Sequence, residues 1–231
     1  MTTHILPLTG TSPVADRPQS LTEQIHDRMR EEILTATWKP GDLVLEAELA
    51  TRYGVSKTPV REALRLLSQQ GWIITMPRKG YLVRPLRLHD IKEVFELRLL
   101  IEPGLFAQAA RRGEPADYAE LRRLISSENQ QGFTDDSPQS PGREFHLAIA
   151  RVADNSRATG ILTGLQDEVR RLHQVLPGVQ THPPASDVVS DHEAILRAME
   201  AHDADLVHKL VRDHIQDSAD RVMDAFRLAI D

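Results

Sequence analysis

The pattern of apolar residues predicts three consecutive helices near the start of the chain. Ser20 and Glu23 have the spacing of a capping box, which marks where the first helix begins. A short second helix is predicted at about 46–53, with Gly54 as its C-cap, and a third helix begins after Ser56. The apolar residues of the first helix recur at four-residue steps, and they are Leu21, Ile25, Met29 and Ile33.

Two β-prone runs follow these helices. Residues 72–76 and 81–84 are rich in apolar side chains, and Pro77 to Gly80 form a turn between them that also contains an Arg and a Lys. Two such runs around a Pro/Gly turn are typical of a β-hairpin. Leu43 to Leu45 are expected to form a short extended link. Two short helices with a tight turn, followed by a hairpin with a basic tip, form a winged helix-turn-helix arrangement.

From residue 90 the pattern is helical almost to the end of the chain. Asp90 and Glu93 have the spacing of a helix cap, and clusters of Gly, Pro, Asp and Ser at 134–142 and 177–186 interrupt the pattern. The fold class is therefore mostly α, with a winged helix-turn-helix and its hairpin wing followed by an all-α bundle of about six helices. Further helices are predicted near 115–131, 143–153, 157–176, 186–201 and 203–230. The expected divisions are a flexible arm at 1–19, the winged domain at 20–84, a linker at 85–89 and the bundle at 90–231.

Composition and charge narrow the class of protein. The 231 residues include no Cys, which excludes disulfides, cysteine zinc ligands, iron–sulfur clusters and thiol nucleophiles. We expect a cytoplasmic protein with no membrane partner, because neither a secretory signal nor an apolar run of membrane-spanning length is visible. The net charge is −6, yet residues 20–87 carry 11 Lys and Arg against 8 Asp and Glu. A basic first module is consistent with nucleic-acid binding, although ordinary surface variation would also produce it.

Several stretches resemble one family. LEAELA at 45–50, YGVSKTPVREALRLL at 53–67 and Gly71-Trp72 resemble the DNA-binding domain of the GntR family of bacterial transcription regulators. The second domain resembles the FadR-type helical domain, or FCD domain, of that family. The resemblance implies a homodimer that binds a double-stranded DNA operator and holds a small effector in the bundle. The residues that carry it in the bundle are Glu96-Leu97-Arg98, Glu102, Glu144-Phe145-His146, Asn155, Asp191 to Leu196, and His214.

The third helix and the wing supply the candidate DNA contacts. The major groove admits one helix, and base reading requires hydrogen-bonding side chains on its leading turns. Arg61 is placed to bind a guanine bidentately, and Gly80 would let the wing approach the DNA backbone closely. The alternative is a solvated helix face. Ala47 stands where many relatives have an Arg, so the operator preference is expected to differ. The candidates are Ser56, Lys57, Thr58, Arg61, Arg65, Arg78, Lys79 and Gly80.

Three of the ten histidines, His146, His192 and His214, lie on or beside apolar stripes of three predicted helices. Facing helices of a bundle build metal sites in this way, and neutral imidazoles bind zinc, nickel, copper or iron. Three unrelated core histidines would give the same pattern. The resemblance favours a divalent metal, zinc or nickel. Metal-binding relatives have a carboxylate one turn before the first histidine, where this chain has Gly142. We therefore expect a metal site of three histidines whose remaining coordination position is filled by water or an acidic effector. His173 is an outside candidate for a further ligand.

Arg98 and Asn155 are the candidate effector contacts. A buried Arg can bind a carboxylate bidentately, but Arg98 could instead pair with Glu102 one turn later. Asn155 could instead cap the end of a helix. The expected function is a metabolite-responsive bacterial transcription regulator and not an enzyme. Two alternatives stay open, a metal-dependent hydrolase that uses the three histidines and a constitutive DNA-binding dimer without an effector.

Overall fold

The computed structural model describes residues 19–131, 140–176 and 185–230, and within them nine helices and three short strands follow the predicted order. The mostly α fold class and the six-helix bundle are confirmed. The predicted arm and most of both predicted interruptions lie outside these ranges. The strands are β1 (Leu43–Val44), β2 (Ile73–Met76) and β3 (Gly80–Val83), and the helices are α1 (Leu21–Leu34), α2 (Glu46–Tyr53), α3 (Lys57–Gln69), α4 (Leu88–Arg112), α5 (Pro115–Gln131), α6 (Pro141–Val152), α7 (Ser156–Val175), α8 (Ala185–Glu200) and α9 (Ala204–Ile230).

Helices α1 to α3 and the three strands form a head with its own apolar core. The predicted capping box is present, since the Ser20 hydroxyl accepts a hydrogen bond from the Glu23 backbone and the Glu23 carboxylate accepts one from the Ser20 backbone. Gly54 ends α2 in the left-handed conformation, with φ 66°. Ser56 stands at the N-cap of α3, but its side chain makes no capping hydrogen bond. The largest buried residues of this core include Met29, Ile33, Leu34, Leu64, Leu67 and Ile73.

The sheet of the head has one strand more than the predicted hairpin. Strands β2 and β3 pair antiparallel as expected, with Ile73 opposite Val83. Strand β1, predicted only as an extended link, pairs with the other edge of β3, with Leu43 opposite Leu82, so the strand order is β1-β3-β2. A strand of two residues is too short to show an alternating pattern, and its pairing partner lies far along the chain.

Gly80 is required by packing inside the head. Its φ is +104°, and a Cβ at this position would lie 2.6 Å from the backbone oxygen of Val44 and 2.7 Å from a side-chain carbon of Leu45. The sequence predicts that Gly80 allows a close approach of the wing to DNA. The structure adds a reason within the head, because the glycine lets β1 lie against the start of β3, and the close approach to DNA stays a prediction.

The bundle consists of α4 to α9, with α4 packed along α9. Helix α4 begins at Leu88, two residues earlier than predicted, and Asp90 does not cap it. That predicted role was wrong, because the Asp90 carboxylate pairs instead with Arg84 at 3.0 Å, across the junction between head and bundle. Among the described helices, none combines the length and the apolar character needed to cross a bilayer.

Helix α7 joins the bundle to the head. Arg170 and Arg171 of α7 are both 1% exposed. Arg170 donates two hydrogen bonds to Glu31 of α1, at 2.9 and 2.6 Å. Arg171 donates to the backbone oxygen of Arg84 and lies over the ring of Trp72. Arg170 is thus paired with a carboxylate of the head, and Arg171 contacts a carbonyl oxygen at the junction and a ring of the head, so both hold the head against α7.

We expect Gly80→Ala to lower the free energy of unfolding more than Gly54→Ala does. Gly54 has open space around the position of a Cβ, so its substitution adds only backbone strain, about 1 kcal/mol. At Gly80 the methyl group would also collide with the Val44 backbone, so we expect a loss of about 3 kcal/mol. Urea unfolding followed by circular dichroism measures both losses. Equal losses would show that β1 moves aside freely.

Candidate functional site

The exposed side of the head carries the candidate DNA contacts. Helix α3 buries Val60, Ala63, Leu64 and Leu67 in the head core, which leaves its opposite face to solvent. The side chains predicted to contact DNA on α3 all lie on this exposed face, and Arg78 and Lys79 are exposed at the tip of the hairpin. The exposed α3 candidates, with the N-cap residue, are Ser56, Lys57, Thr58, Arg61 and Arg65.

Arg61 is held in place by Glu46, a residue that the sequence analysis did not single out. Its guanidinium donates from Nε and Nη2 to both carboxylate oxygens of Glu46, at 2.9 to 3.2 Å, and its side chain is still 59% exposed. The Tyr81 hydroxyl also donates to Glu46, at 3.0 Å. Hydrogen bonds from Arg61 are the main cause that lowers the pKa of Glu46. Glu46 therefore connects α2, α3 and the wing, and it orients Arg61 before any ligand arrives.

The other basic candidates are arranged more loosely. Arg65 pairs with Glu62 on the same helix at 3.1 Å, and both side chains are about half exposed. Arg78 has a φ of +65°, which is the left-handed conformation of a tight turn. The backbone of Lys79 donates to the Met76 oxygen at 2.9 Å and closes that turn. The wing therefore presents two cations at a well-formed tip.

His146, His192 and His214 meet inside the bundle. They come from α6, α8 and α9, and all three are buried. The ring centroids are 4.9 to 5.3 Å apart, and one nitrogen of each ring lies within 4.8 Å of the others. Histidines separated by 46 and 22 positions in the chain thus form one cluster, as the spacing on apolar stripes predicts.

A carboxylate accepts a hydrogen bond from Nδ1 of each histidine. The partners are Glu102 for His146 at 2.6 Å, Glu128 for His192 at 2.7 Å, and Asp191 for His214 at 3.2 Å. A carboxylate at this distance favours the tautomer with the proton on Nδ1, which leaves the lone pair on Nε2. Paired carboxylates of this kind orient histidine ligands around metal ions.

The donor set fits a metal ion. Burial lowers the pKa of His146, and it lowers the pKa of His214 to about 3, so both rings are neutral at neutral pH. Nε2 of His192 is buried and has no hydrogen-bond partner among the described residues. A buried polar atom without a partner is unfavourable unless a ligand binds it. Three imidazoles that converge in this way are a donor set suited to zinc, nickel, copper or iron.

Arg98 makes the ion pair that the sequence analysis gave as the alternative to an effector contact. Its Nε donates to Glu102 at 2.5 Å, and both side chains are almost completely buried. Burial alone would raise the pKa of Glu102, but Arg98 and His146 together lower it to about 2. The ionised Glu102 carboxylate thus bridges Arg98 and His146. Arg98 also lines the cavity beside the histidines, so the pairing leaves a cation at the cavity wall.

The histidine cavity carries further cations and polar groups. Arg143 and Arg221 line it together with Arg98, and His173 also lines it without joining the converging cluster. Asn155 does not line this cavity. It is exposed, and its side chain accepts from the Ala158 backbone at 3.1 Å, so it caps the start of α7 and not the end of the preceding helix. The remaining lining residues are Glu128, Ser140, Pro141, Gly142, Gln166, Val169, Val188 and Ser218.

One carboxylate connects the cavity wall to the head. Arg143 donates to Oδ1 of Asp167 at 2.9 Å, and Arg30 of α1 donates to Oδ2 of the same Asp167. Asp167 is buried on α7. Asp167 and Arg143 are not predictable as functional residues from the sequence, because no local pattern distinguishes them from other charged residues of their helices.

Two family models match the chain. Residues 21–83 match the family described as bacterial regulatory proteins, gntR family. Residues 93–217 match the FCD domain, which alone spans more than half of the chain.

Known relatives match over most of their length. The chain is 24% identical over 207 residues to the HTH-type transcriptional repressor RspR of Escherichia coli (strain K12), covering 88% of this chain and 90% of that protein. It is 26% identical over 217 residues to the uncharacterized HTH-type transcriptional regulator BphR of Paraburkholderia xenovorans (strain LB400), covering 89% and 86%. The match to the Nta operon transcriptional regulator of Aminobacter aminovorans is 27% identical over 134 residues and spans 58% of this chain but only 64% of that protein, just under two thirds.

Solved structures share the fold. E. coli McbR/YncC superposes with a TM-score of 0.73 at 21% identity, covering 90% of this chain and 99% of that one. A putative transcriptional regulator GntR from Rhodococcus sp. RHA1 superposes with a TM-score of 0.74 at 20% identity, covering 89% and 99%. At identities near 20%, these superpositions show that the fold is shared and nothing about function.

Proposed function

The chain belongs to the gntR family of bacterial regulatory proteins and carries an FCD domain, and from this membership we propose how it works. As a dimer it binds a pseudo-palindromic operator through its winged heads, and a small organic acid held beside a metal ion in the bundle controls that binding. Both domains are those of transcriptional regulators and not of enzymes, which removes the hydrolase alternative. The observation that carries the proposal is the buried three-histidine cluster beside a cavity lined by arginines.

The head supports sequence-specific DNA binding. The exposed face of α3 offers Arg61 in a fixed orientation, and a planar guanidinium binds the O6 and N7 acceptors of a guanine bidentately. Lys79 at the wing tip carries a charge suited to phosphate, which contributes affinity without sequence preference. An operator-binding protein works on the chromosome, so we assign it to the bacterial cytoplasm. RspR is named a repressor, and we propose repression here too.

One exposed face of the bundle supports a homodimer. Leu97 and Leu100 on α4 are 39% and 80% exposed, and Ile161 on the adjacent α7 is 50% exposed. A glycine inside a helix costs about 1 kcal/mol relative to alanine, so exposed helical glycines need a reason. Close approach of a second copy supplies one, and it would bury the leucines. The exposed glycines of these two helices, each with no atom near the position of a Cβ, are Gly104, Gly160 and Gly164.

The cavity supports a carboxylate effector beside a metal ion. His146, His192 and His214 would hold the ion through Nε2, and three protein ligands leave a coordination position open. When bound, the ion supplies a positive charge that attracts an anionic group. Arg98 faces the same cavity and can bind the far end of a dicarboxylate.

Asp167 offers a route from the cavity to the head. An anion in the cavity would attract the Arg143 guanidinium, whose partner Asp167 also binds Arg30 of α1. A ligand changes DNA binding only if it binds one placement of the head better than another. An anion in the cavity and Asp167 would compete for Arg143. The anion would therefore bind more tightly to the placement of the head in which Asp167 has released Arg143.

We expect Arg61→Ala to weaken binding to the specific operator by about 1–3 kcal/mol and to relax base preference. Arg61→Lys keeps the charge but not the bidentate geometry, so it should lose specificity while keeping affinity for random DNA. Lys79→Ala should weaken all sequences alike and reduce the salt slope by about one. Mobility-shift titrations use an operator selected from random duplexes, with the exposed Lys209→Ala on α9 as control. Equal loss on operator and random DNA for Arg61→Ala would contradict base reading.

The protein should be a dimer without DNA, and Leu100→Asp should convert it to a monomer. A charge in place of a leucine that is 80% exposed has little effect on the folded chain, but it opposes burial in an interface. Leu228→Asp is the matched control and should leave the dimer intact, because Leu228 is equally exposed, at 79%, but lies on α9, outside the proposed interface. Multi-angle light scattering at micromolar concentration measures the mass. A monomeric unmutated chain, or a dimer that withstands Leu100→Asp, would overturn this prediction.

The unmutated chain, offered zinc or nickel at neutral pH, should bind about one ion per chain, and His192→Ala should abolish this. The exposed His208→Ala on α9 should bind metal normally. Elemental analysis of protein without a histidine tag measures the metal content. Calorimetry with a panel of mono-, di- and tricarboxylates then compares metal-loaded and chelated protein, and the binding acid should bind more weakly after chelation. Equal metal content in unmutated protein and His192→Ala would make the three histidines ordinary core residues.

A further inference from the structure

Glu128 of α5 is a buried carboxylate beside the histidine cluster. It is 6% exposed, and its Oε2 accepts a hydrogen bond from Nδ1 of His192 at 2.7 Å. The other nitrogen of this ring, Nε2, is the buried atom that lacks a hydrogen-bond partner among the described residues. Glu128 therefore lies on the far side of the His192 ring from the nitrogen that a metal would need.

The Glu128 carboxylate occupies the space that a side chain at position 142 would need. A Cβ at position 142 would lie 2.5 Å from Oε1 of Glu128 and 3.8 Å from Cε1 of His192. No residue with a Cβ fits at position 142 while the Glu128 side chain keeps its present position. Position 142 is in the first turn of α6, where glycine is less favourable than alanine. The carboxylate of Glu128 is thus the physical reason that a glycine suits this position.

We infer that Glu128 supplies the acidic group of the histidine site from α5, in place of an acidic side chain at position 142. Residue 142 lies one turn before His146, so an acid there would point toward the same cluster. Glu128 acts as a positioning residue, because its hydrogen bond to Nδ1 holds the His192 ring so that Nε2 would be free to bind an ion. This inference rests on the proposed metal site. Its consequence is that all the carboxylates paired with the histidines stand behind the rings, which leaves the open metal position to an acidic effector.

The test compares zinc affinity in four proteins by competition with a chromophoric chelator. Glu128→Ala should bind zinc about 10- to 100-fold more weakly than the unmutated chain. Gly142→Asp should also bind weakly, because two carboxylates would share one volume. The double variant should recover affinity above both single variants, since Glu128→Ala makes room for Asp at 142. Glu120→Ala, which removes an exposed carboxylate from the same helix, is the control.

A second measurement needs no metal. Nitrogen-15 chemical shifts of the histidine side chains report which ring nitrogen carries the proton. In the metal-free unmutated chain His192 should be protonated on Nδ1, and Glu128→Ala should remove this preference. Glu128→Gln should retain it, because the amide oxygen still accepts the hydrogen bond.

The outcomes separate this inference from the proposed function. If the unmutated chain binds no zinc, the proposed metal site is wrong and this inference with it. If the unmutated chain binds zinc and Glu128→Ala binds it equally well, only the inference is wrong. It is also wrong if the double variant binds no better than Glu128→Ala, or if the His192 tautomer does not respond to Glu128→Ala.

Discussion

Two charged side chains buried on α7, Asp167 and Arg170, have partners of opposite charge in the head. Arg170 binds Glu31 of α1, and Asp167 binds Arg30 of the same helix. Removing one member of such a pair leaves a buried charge uncompensated, which is strongly unfavourable. The position of the head is therefore tied to the position of α7. Any change in the bundle that moves α7 or occupies its charged groups also acts on the head.

Buried charges also need partners around the histidine cavity. Arg98 and Glu102 are both buried, and each is stable there because the other is present. Glu102 then orients His146, Glu128 orients His192 and Asp191 orients His214. The carboxylates favour the proton on Nδ1 of each ring, which leaves the three Nε2 atoms as donors for the metal ion that we propose. Preorganisation of this kind raises affinity because less conformational freedom is lost on binding.

In the head, Glu46 has a comparable role. Its carboxylate accepts hydrogen bonds from both the Arg61 guanidinium and the Tyr81 hydroxyl, so α3 and the wing share one partner. The position of Arg61 on the third helix predicts a DNA contact, but it does not say how the side chain is held. The structure adds that Glu46 holds this side chain. In the proposed base contact, Arg61 would exchange some of its bonds to Glu46 for bonds to a base, which would sharpen discrimination against sequences that offer no acceptor pair.

The sequence by itself determined the order of the elements, the extent of most helices to within about two residues, the capping box at Ser20 and the left-handed end of α2 at Gly54. These features depend on neighbours within one or two helical turns, so periodicity and cap residues reveal them. It also identified the three histidines that meet in the bundle, because each lies on or beside an apolar stripe of its own helix. Only the tertiary structure decided which groups meet across helices. Strand β1, the pairing of Glu128 with His192 and the bridge from Arg143 through Asp167 to Arg30 join residues as many as 137 positions apart. Such partners are chosen by the packing of one element against another, and that packing leaves no periodic signal at either residue.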